Sequence, residues 1–214
     1  MNSQSKTARF SKKILAAIAI VIIVVASASA AAAYVLSQKS QTPSKLPSMS
    51  LTLIGANGQE KTLTQTDISS TPSYTGKGGY ETSNGLVSET GTYTGVKVTA
   101  FLNLVGGITS DETLNVSASD GYSVILTHNQ VANGQDFTTF SPTTGSETTA
   151  TQPLVMVLAY SVNGTYLASG VGPLRLMVLG SEGLLIQGHY SVYMVTGLQV
   201  LPAVSTAPMQ TPTG

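Results

Sequence analysis

Apolar and polar residues alternate along much of the chain between residues 50 and 201, which is the period of a half-buried β-strand. The segments 114–119 and 122–128 are two such predicted strands, and Asp120-Gly121 between them is a two-residue hairpin signal. Asn163-Gly164 is a second such signal between two further predicted strands. The pattern predicts a domain built mainly from short strands joined by tight turns.

Helical spacing is clear at one place in this region. Four apolar residues recur as they would on one face of a helix, namely Val98, Phe101, Leu102 and Val105. Gly106-Gly107 ends that run, and a shorter helix is predicted after Thr66. Residues 134–152 include seven threonines and are predicted to form a long irregular loop. The expected fold class is therefore α+β, mainly β, with few short helices.

Residues 14–36 form an uncharged segment dominated by Ile, Val and Ala. At about 1.5 Å per residue in a helix, a segment of this length crosses the core of a bilayer. The basic tail of residues 1–13 is expected to stay in the cytoplasm, so the domain would be extracytoplasmic and anchored by a single transmembrane helix. The alternative is a cleaved signal sequence, because Ala26-Ser27-Ala28 and Ala28-Ser29-Ala30 both fit a small-residue cleavage pattern, and the domain would then be secreted.

The remaining segments are predicted to be connections. Residues 37–49 are polar, contain prolines and read as a linker. Residues 202–214 have the same character and read as a flexible tail. One folded domain over residues 50–201 is left between them, which is long enough to bury a hydrophobic core.

Charge and cysteine content exclude several functions. The chain has ten basic and ten acidic residues, but residues 1–13 hold four of the cations, so the region from residue 37 onward is mildly acidic. Such a domain lacks the basic surface that nucleic-acid binding needs, so no nucleic-acid partner is expected. The chain contains no cysteine, which removes disulfides, zinc–thiolate sites and cysteine nucleophiles. The sequence does not identify a protein or small-molecule partner; its one expected association is with the membrane.

Four segments are informative when they are taken in chain order. Residues 91–107 place Tyr-x-Gly-Val before a short helix, 118–131 contain an Asp-Gly-Tyr hairpin, 154–180 end in a Gly-Pro-Leu-Arg-Leu strand, and 195–201 form a closing strand. In this order they resemble the oxidoreductase molybdopterin-binding domain of the sulfite oxidase type, over about residues 50–201. The resemblance implies a sulfite oxidase-type fold with mixed sheets, in a family that uses molybdopterin.

The resemblance carries three candidate cofactor-binding residues: Arg175, Tyr93 and Asp120. Arg175 is the only arginine after the basic tail. Its guanidinium suits an anion such as a phosphate, or a buried ion pair for which Asp120 is a candidate partner. A buried guanidinium needs an acceptor in either case. We favour a structural role for all three residues.

Many of the residues that the family uses for catalysis are missing from this sequence. A catalytic member needs a cysteine thiolate on molybdenum, expected here within residues 70–93, and several arginines and a histidine that bind the pterin phosphate and an oxyanion. His128 and His189 are the only histidines, and their spacing does not suggest a metal site. We therefore predict no catalytic residue, no metal ligand and no bound cofactor, and expect a membrane-anchored extracytoplasmic binding or accessory module. The alternatives are an active pterin-dependent oxidoreductase and a cell-surface structural or adhesion domain.

Overall fold

A computed structural model describes residues 47–203, which belong to one compact unit. The predicted basic tail, the predicted transmembrane or signal segment, and most of the predicted linker and tail lie outside the described residues. Within residues 47–203, no helix has both the length and the apolar character needed to cross a membrane.

The first sheet has five strands in the spatial order β2-β1-β13-β5-β6. Its strands are β1 (Ser50–Ile54), β2 (Glu60–Thr64), β5 (Thr113–Ala118), β6 (Ser123–Thr127) and β13 (Val195–Leu201). Strands β1 and β13 run parallel and the other neighbours antiparallel, so the sheet is mixed. Every second residue of β5 is buried, as the alternating pattern predicts.

The second sheet has eight strands in the order β10-β9-β4-β3-β12-β7-β8, with β11 also paired to β9. Its strands are β3 (Ser73–Glu81), β4 (Val87–Lys97), β7 (Thr139–Phe140), β8 (Glu147–Thr148), β9 (Val155–Val162), β10 (Thr165–Tyr166), β11 (Arg175–Leu179) and β12 (Leu185–Gln187). Lys77 and Gly180 exchange two backbone hydrogen bonds of 2.9 Å, which connect the end of β11 back to β3. The predicted irregular loop of residues 134–152 contains two of these short strands, β7 and β8, so it is not wholly irregular.

Within residues 47–203 the helices are few and short. They are α1 (Gln65–Ser70), α2 (Val98–Leu102), α3 (His128–Asn133) and two 3₁₀ turns, Asn103–Val105 and Gly188–Tyr190. The predicted helical run from Val98 is thus α2 followed by a 3₁₀ turn, and it ends at Gly106 with φ of 103°. Helix α3 was not predicted from the apolar spacing; it begins with a capping box between Thr127 and Gln130.

The two faces of β9 and β11 pack into different parts of the interior. Leu158 and Leu176 belong to the main hydrophobic core, which also contains residues of the first sheet such as Leu51. Val157 and Met177 project from the opposite face into a smaller apolar cluster. Because side chains alternate along a strand, Arg175 lies on the same face as Met177. The domain's lone arginine is thereby placed beside the smaller cluster.

Candidate functional site

Arg175 is the first residue of β11 and is only 1% exposed. The segment after the second 3₁₀ turn lies beside the start of this strand. Two backbone hydrogen bonds hold it there: Leu176 N donates to Val192 O at 2.8 Å, and Val195 N donates to Leu174 O at 2.9 Å. This pairing brings the neighbouring residues 191–193 next to the guanidinium. Backbone contacts between segments, in addition to the strand pairing of β11, therefore form the surroundings of Arg175.

Each nitrogen of the guanidinium has an acceptor. Nη1 donates to Oε2 of Glu89 in an ion pair, and Nε and Nη2 donate to Oγ of Ser191 at 3.0 and 2.7 Å. The Ser191 hydroxyl in turn donates to the sulfur of Met177 at 3.2 Å. These contacts offset the cost of taking a charged group out of water.

Asp120, the candidate ion-pair partner of Arg175, is not its acceptor. Asp120 lies at the turn between β5 and β6, where its Oδ1 accepts a hydrogen bond from Tyr122 N at 2.9 Å. This hydrogen bond and the positive φ of Gly121 (89°) both stabilise the turn, so Asp120 has a structural role there. The acceptor of the guanidinium is Glu89 on β4, a residue that the sequence analysis did not select.

Three tyrosine rings surround the guanidinium. Its carbon lies 4.0 Å from the ring centroid of Tyr193, 5.5 Å from that of Tyr80 and 5.9 Å from that of Tyr93. The negative faces of aromatic rings attract a cation over such distances. Of the three sequence candidates, the structure therefore brings Arg175 and Tyr93 together, whereas Asp120 is not among the acceptors of the guanidinium.

Tyr93 is integrated into this cluster through its hydroxyl. The ring is 2% exposed, and the hydroxyl donates to the main-chain oxygen of Glu89 at 2.7 Å. Burial raises the pKa of Tyr93, and the nearby carboxylate of Glu89 acts in the same direction against the opposing charge of Arg175. Tyr93 is thus a neutral donor that holds the backbone of β4.

A chain of hydroxyl groups leads from Glu89 toward the surface. The Tyr193 hydroxyl donates to Oε1 of Glu89 at 2.8 Å, and the hydroxyls of Tyr80 and Tyr193 lie 3.0 Å apart. Burial raises the pKa of Tyr193, and its hydrogen bonds to Tyr80 and Glu89 raise it further. Burial also favours a higher pKa for Glu89, but hydrogen bonds from Arg175 and Tyr193, with the charge of Arg175, hold that pKa below its ordinary value. Glu89 is therefore the ionised member at neutral pH.

Glu89 adopts a left-handed backbone conformation, with φ of 49°. This region is uncommon for residues other than glycine and persists where surrounding contacts hold it. Its side chain is held by Arg175 and Tyr193, and its main-chain oxygen by Tyr93. The cluster of Arg175, Glu89, Ser191 and the three tyrosines is called the Arg175 cluster below.

A groove of about 640 Å³ adjoins the Arg175 cluster and is called the Tyr193 groove. Its lining includes six side chains: Tyr80, Glu81, Phe140, Gln187, His189 and Tyr193. Arg175 does not line it. A smaller hollow of about 280 Å³ also has Tyr193 in its wall, and it is there that Asp120 lies. The residues 47–203 contain no group of three or more histidine and acidic side chains that could hold a metal ion.

Comparison with protein-family models and with curated proteins finds no match to the chain. Among solved structures, the sulfane dehydrogenase SoxCD from Paracoccus pantotrophus has a similar fold, with a TM-score of 0.52 and 17% sequence identity. The match covers 74% of this chain but only 39% of the SoxCD chain. It supports a distant relation in fold, and the mainly β architecture with mixed sheets is compatible with a sulfite oxidase-like fold.

The residues of this chain do not fit the molybdenum cofactor that such a fold implies. Residues 70–93, where the resemblance expects the metal-binding thiolate, form much of β3 and β4 and contain no cysteine. The one arginine of the domain has each guanidinium nitrogen engaged by Ser191 or Glu89. The chain therefore supplies no cysteine thiolate, and residues 47–203 supply no free guanidinium for a phosphate.

Proposed function

We propose that this chain is an extracytoplasmic binding or accessory module, anchored in the membrane by residues 14–36, that keeps a sulfite oxidase-type fold without molybdenum catalysis. The observation that carries the proposal is the engagement of Arg175 by Glu89 and Ser191 inside the domain. A guanidinium that is 1% exposed and paired in this way serves the fold rather than a bound anion.

The absence of cysteine from the sequence supports the same conclusion. A thiolate is a soft and readily formed ligand, whereas the serine and threonine hydroxyls of residues 70–93 are harder and far less acidic. Replacing one by the other removes the ligand type that the family uses. The relation to oxidoreductases thus concerns fold and ancestry.

The Tyr193 groove supports a binding role. Its volume of about 640 Å³ lies within the usual range for small-ligand sites, and its wall combines aromatic rings with a few polar groups. The groove also lies directly against the Arg175 cluster, because Tyr80 and Tyr193 belong to both. Hydrogen bonds within the cluster support two residues of the groove wall.

Metal analysis of the full-length protein, purified from its native membranes, tests the absence of molybdenum chemistry. We expect far less than one molybdenum or tungsten atom per chain and no pterin released on denaturation. A stoichiometric amount of either metal, together with a pterin, would overturn the proposal and favour an active pterin-dependent oxidoreductase.

Membrane extraction tests the anchor separately. We expect the chain to stay in the membrane pellet after an alkaline carbonate wash, and a variant lacking residues 1–36 to be absent from that pellet. Recovery of the native chain in the soluble fraction, shortened at its N-terminus, would instead favour the cleaved signal sequence.

A further inference from the structure

We propose that the Tyr193 groove binds an organic cation that carries N–H donors, either a primary amine or a guanidinium. The inference deepens the proposed binding function and rests on it, because it names the class of ligand for the same groove. The ligand class follows from the groove's charge, its unmatched hydrogen-bond acceptors and its aromatic rings.

The groove has one acidic side chain and no lysine or arginine among the described residues. Glu81, the last residue of β3, is that acidic residue, and His189 is the one basic side chain in the described lining. Within residues 47–203 the one ion pair is that of Arg175 with Glu89, so Glu81 has no cationic partner there. An anionic ligand would meet repulsion in this groove, whereas a cation would supply the missing opposite charge.

Glu81 also has an unmatched acceptor. Its Oε2 is buried and accepts no hydrogen bond from the described residues. An unpaired buried polar atom costs free energy, and a carboxylate oxygen costs more than a neutral one. The terminal torsion of a glutamate is soft, so the carboxylate can rotate to meet a donor that enters the groove. An ammonium or guanidinium N–H is the donor that removes this cost.

The tyrosine hydroxyls add a second acceptor to the wall. The Tyr193 hydroxyl donates to Glu89, and either hydroxyl could be the donor in the 3.0 Å contact between Tyr80 and Tyr193. A phenolic oxygen keeps lone pairs that accept a hydrogen bond in either case. Tyr80 thus lines the groove, beside Glu81, with a second group able to accept an N–H.

Aromatic rings complete the match. Phe140 and Tyr80 line the groove, and aromatic faces attract organic cations. Gly188 keeps the wall in place, since a Cβ there would come 2.9 Å from Cδ2 of Tyr80. The groove, at about 640 Å³, has room for a small amine or for one lysine or arginine side chain. A free amine and a side chain of a partner protein therefore present the same chemistry.

Calorimetric titration of the full-length protein in detergent tests the inference with matched probes. The probes are n-butylamine, n-butylguanidinium, n-butanol and n-pentanoate, which share a butyl chain and differ in the charge of the head group. We expect the two cations to bind and the alcohol and the carboxylate not to bind. Glu81→Gln keeps the shape of the side chain and should weaken cation binding at least about tenfold, while Glu60→Gln, at an exposed site on β2, should leave it unchanged.

A second pair of probes distinguishes the two sources of the cation. The peptide acetyl-Gly-Lys-Gly-amide is compared with the same peptide carrying norleucine in place of lysine. Tighter binding of the lysine peptide than of n-butylamine points to a protein partner, and the reverse points to a free amine.

Three results would overturn the inference: no binding of either cation, equal binding of n-butylamine and n-butanol, or equal affinity of the wild type and Glu81→Gln. The first two are read on the unmodified protein, so they decide even if the variant does not fold. If amines do not bind and the metal analysis is negative, the inference about the ligand class is wrong but the proposed function still stands. Stoichiometric molybdenum would instead remove the proposed function.

Discussion

Arg175 on β11 and Glu89 on β4 form an ion pair between residues 86 positions apart, one end of which is enclosed and the other partly open to solvent. The side chain of Arg175 is 1% exposed, whereas that of Glu89 is 38% exposed. Removing the carboxylate of Glu89 would therefore leave a buried cation without an opposite charge. Removing the guanidinium of Arg175 would leave a carboxylate that water can still solvate. This asymmetry gives the cluster a testable energetic signature.

Tyr193 contributes to the cluster through both its ring and its hydroxyl. Tyr193→Phe keeps the ring over Arg175 and deletes the bond to Glu89, so we expect a loss of about 1 kcal/mol in the free energy of unfolding. Tyr193→Leu also deletes the cation–π contact and should cost about 1 kcal/mol more. Urea unfolding measures both. Equal losses in the two variants would show that the ring contributes nothing to the cluster.

The pH dependence of stability should report the ionisation of Glu89. Burial opposes its charge, but the hydrogen bonds from Arg175 and Tyr193 prevail and lower its pKa in the folded protein. The stabilisation is then fully present above the unfolded-state pKa, about 4.3, and is lost as the pH falls through the lower folded-state pKa. Urea midpoints of the wild type should therefore exceed those of Glu89→Gln at pH 7, and the two should converge on acidification.

Two other carboxyl groups belong to the background of that experiment. The side-chain hydrogen bond from Thr64 lowers the pKa of Asp67, and that from Thr151 lowers the pKa of Glu182. Both groups titrate in the wild type and in Glu89→Gln alike, so the difference between the two proteins isolates Glu89. A difference that stays constant from pH 7 to pH 3 would contradict the assignment.

Gly95 is required by the close approach of β4 to β9. It lies opposite Ala159, and a Cβ at this position would overlap the main-chain oxygen of Leu158. We expect Gly95→Ala to lower the free energy of unfolding by about 3 kcal/mol, since backbone rather than a flexible side chain must move. Gly170→Ala is the matched control, because a Cβ there meets nothing within 4 Å. Similar stability of the two variants would contradict this packing.

Local signals in the sequence predicted local structure well. Asp120-Gly121 marks the turn between β5 and β6, and the apolar spacing from Val98 marks α2 with its 3₁₀ extension. Helix α3 was missed because its two buried residues, Gln130 and Val131, are adjacent and so give no apolar spacing at a helical period. The pair Thr127 and Gln130 was the usable signal there, since the spacing of a capping box is visible in the sequence.

The Arg175 cluster could be predicted only in part. A buried guanidinium needs an acceptor because burying an unpaired charge is costly. The candidate partners of Arg175 are therefore the few acidic residues of the domain. Choosing Glu89 among them needs the sheet register, in which Gly95 and Arg175 both lie opposite Ala159 on the two sides of β9. Pairings between distant strands depend on tertiary packing, and no local pattern in this chain encodes them.

A double-mutant cycle on Arg175 and Glu89 tests most directly whether the domain's lone arginine serves the fold. The variants are Glu89→Gln, Arg175→Met and the double substitution, compared by urea unfolding at pH 7. We predict that Glu89→Gln alone costs about 2 kcal/mol or more, and that the double variant is at least about 1 kcal/mol more stable than the sum of the single losses implies. Additive losses would show that the two side chains do not support each other, and would contradict the account.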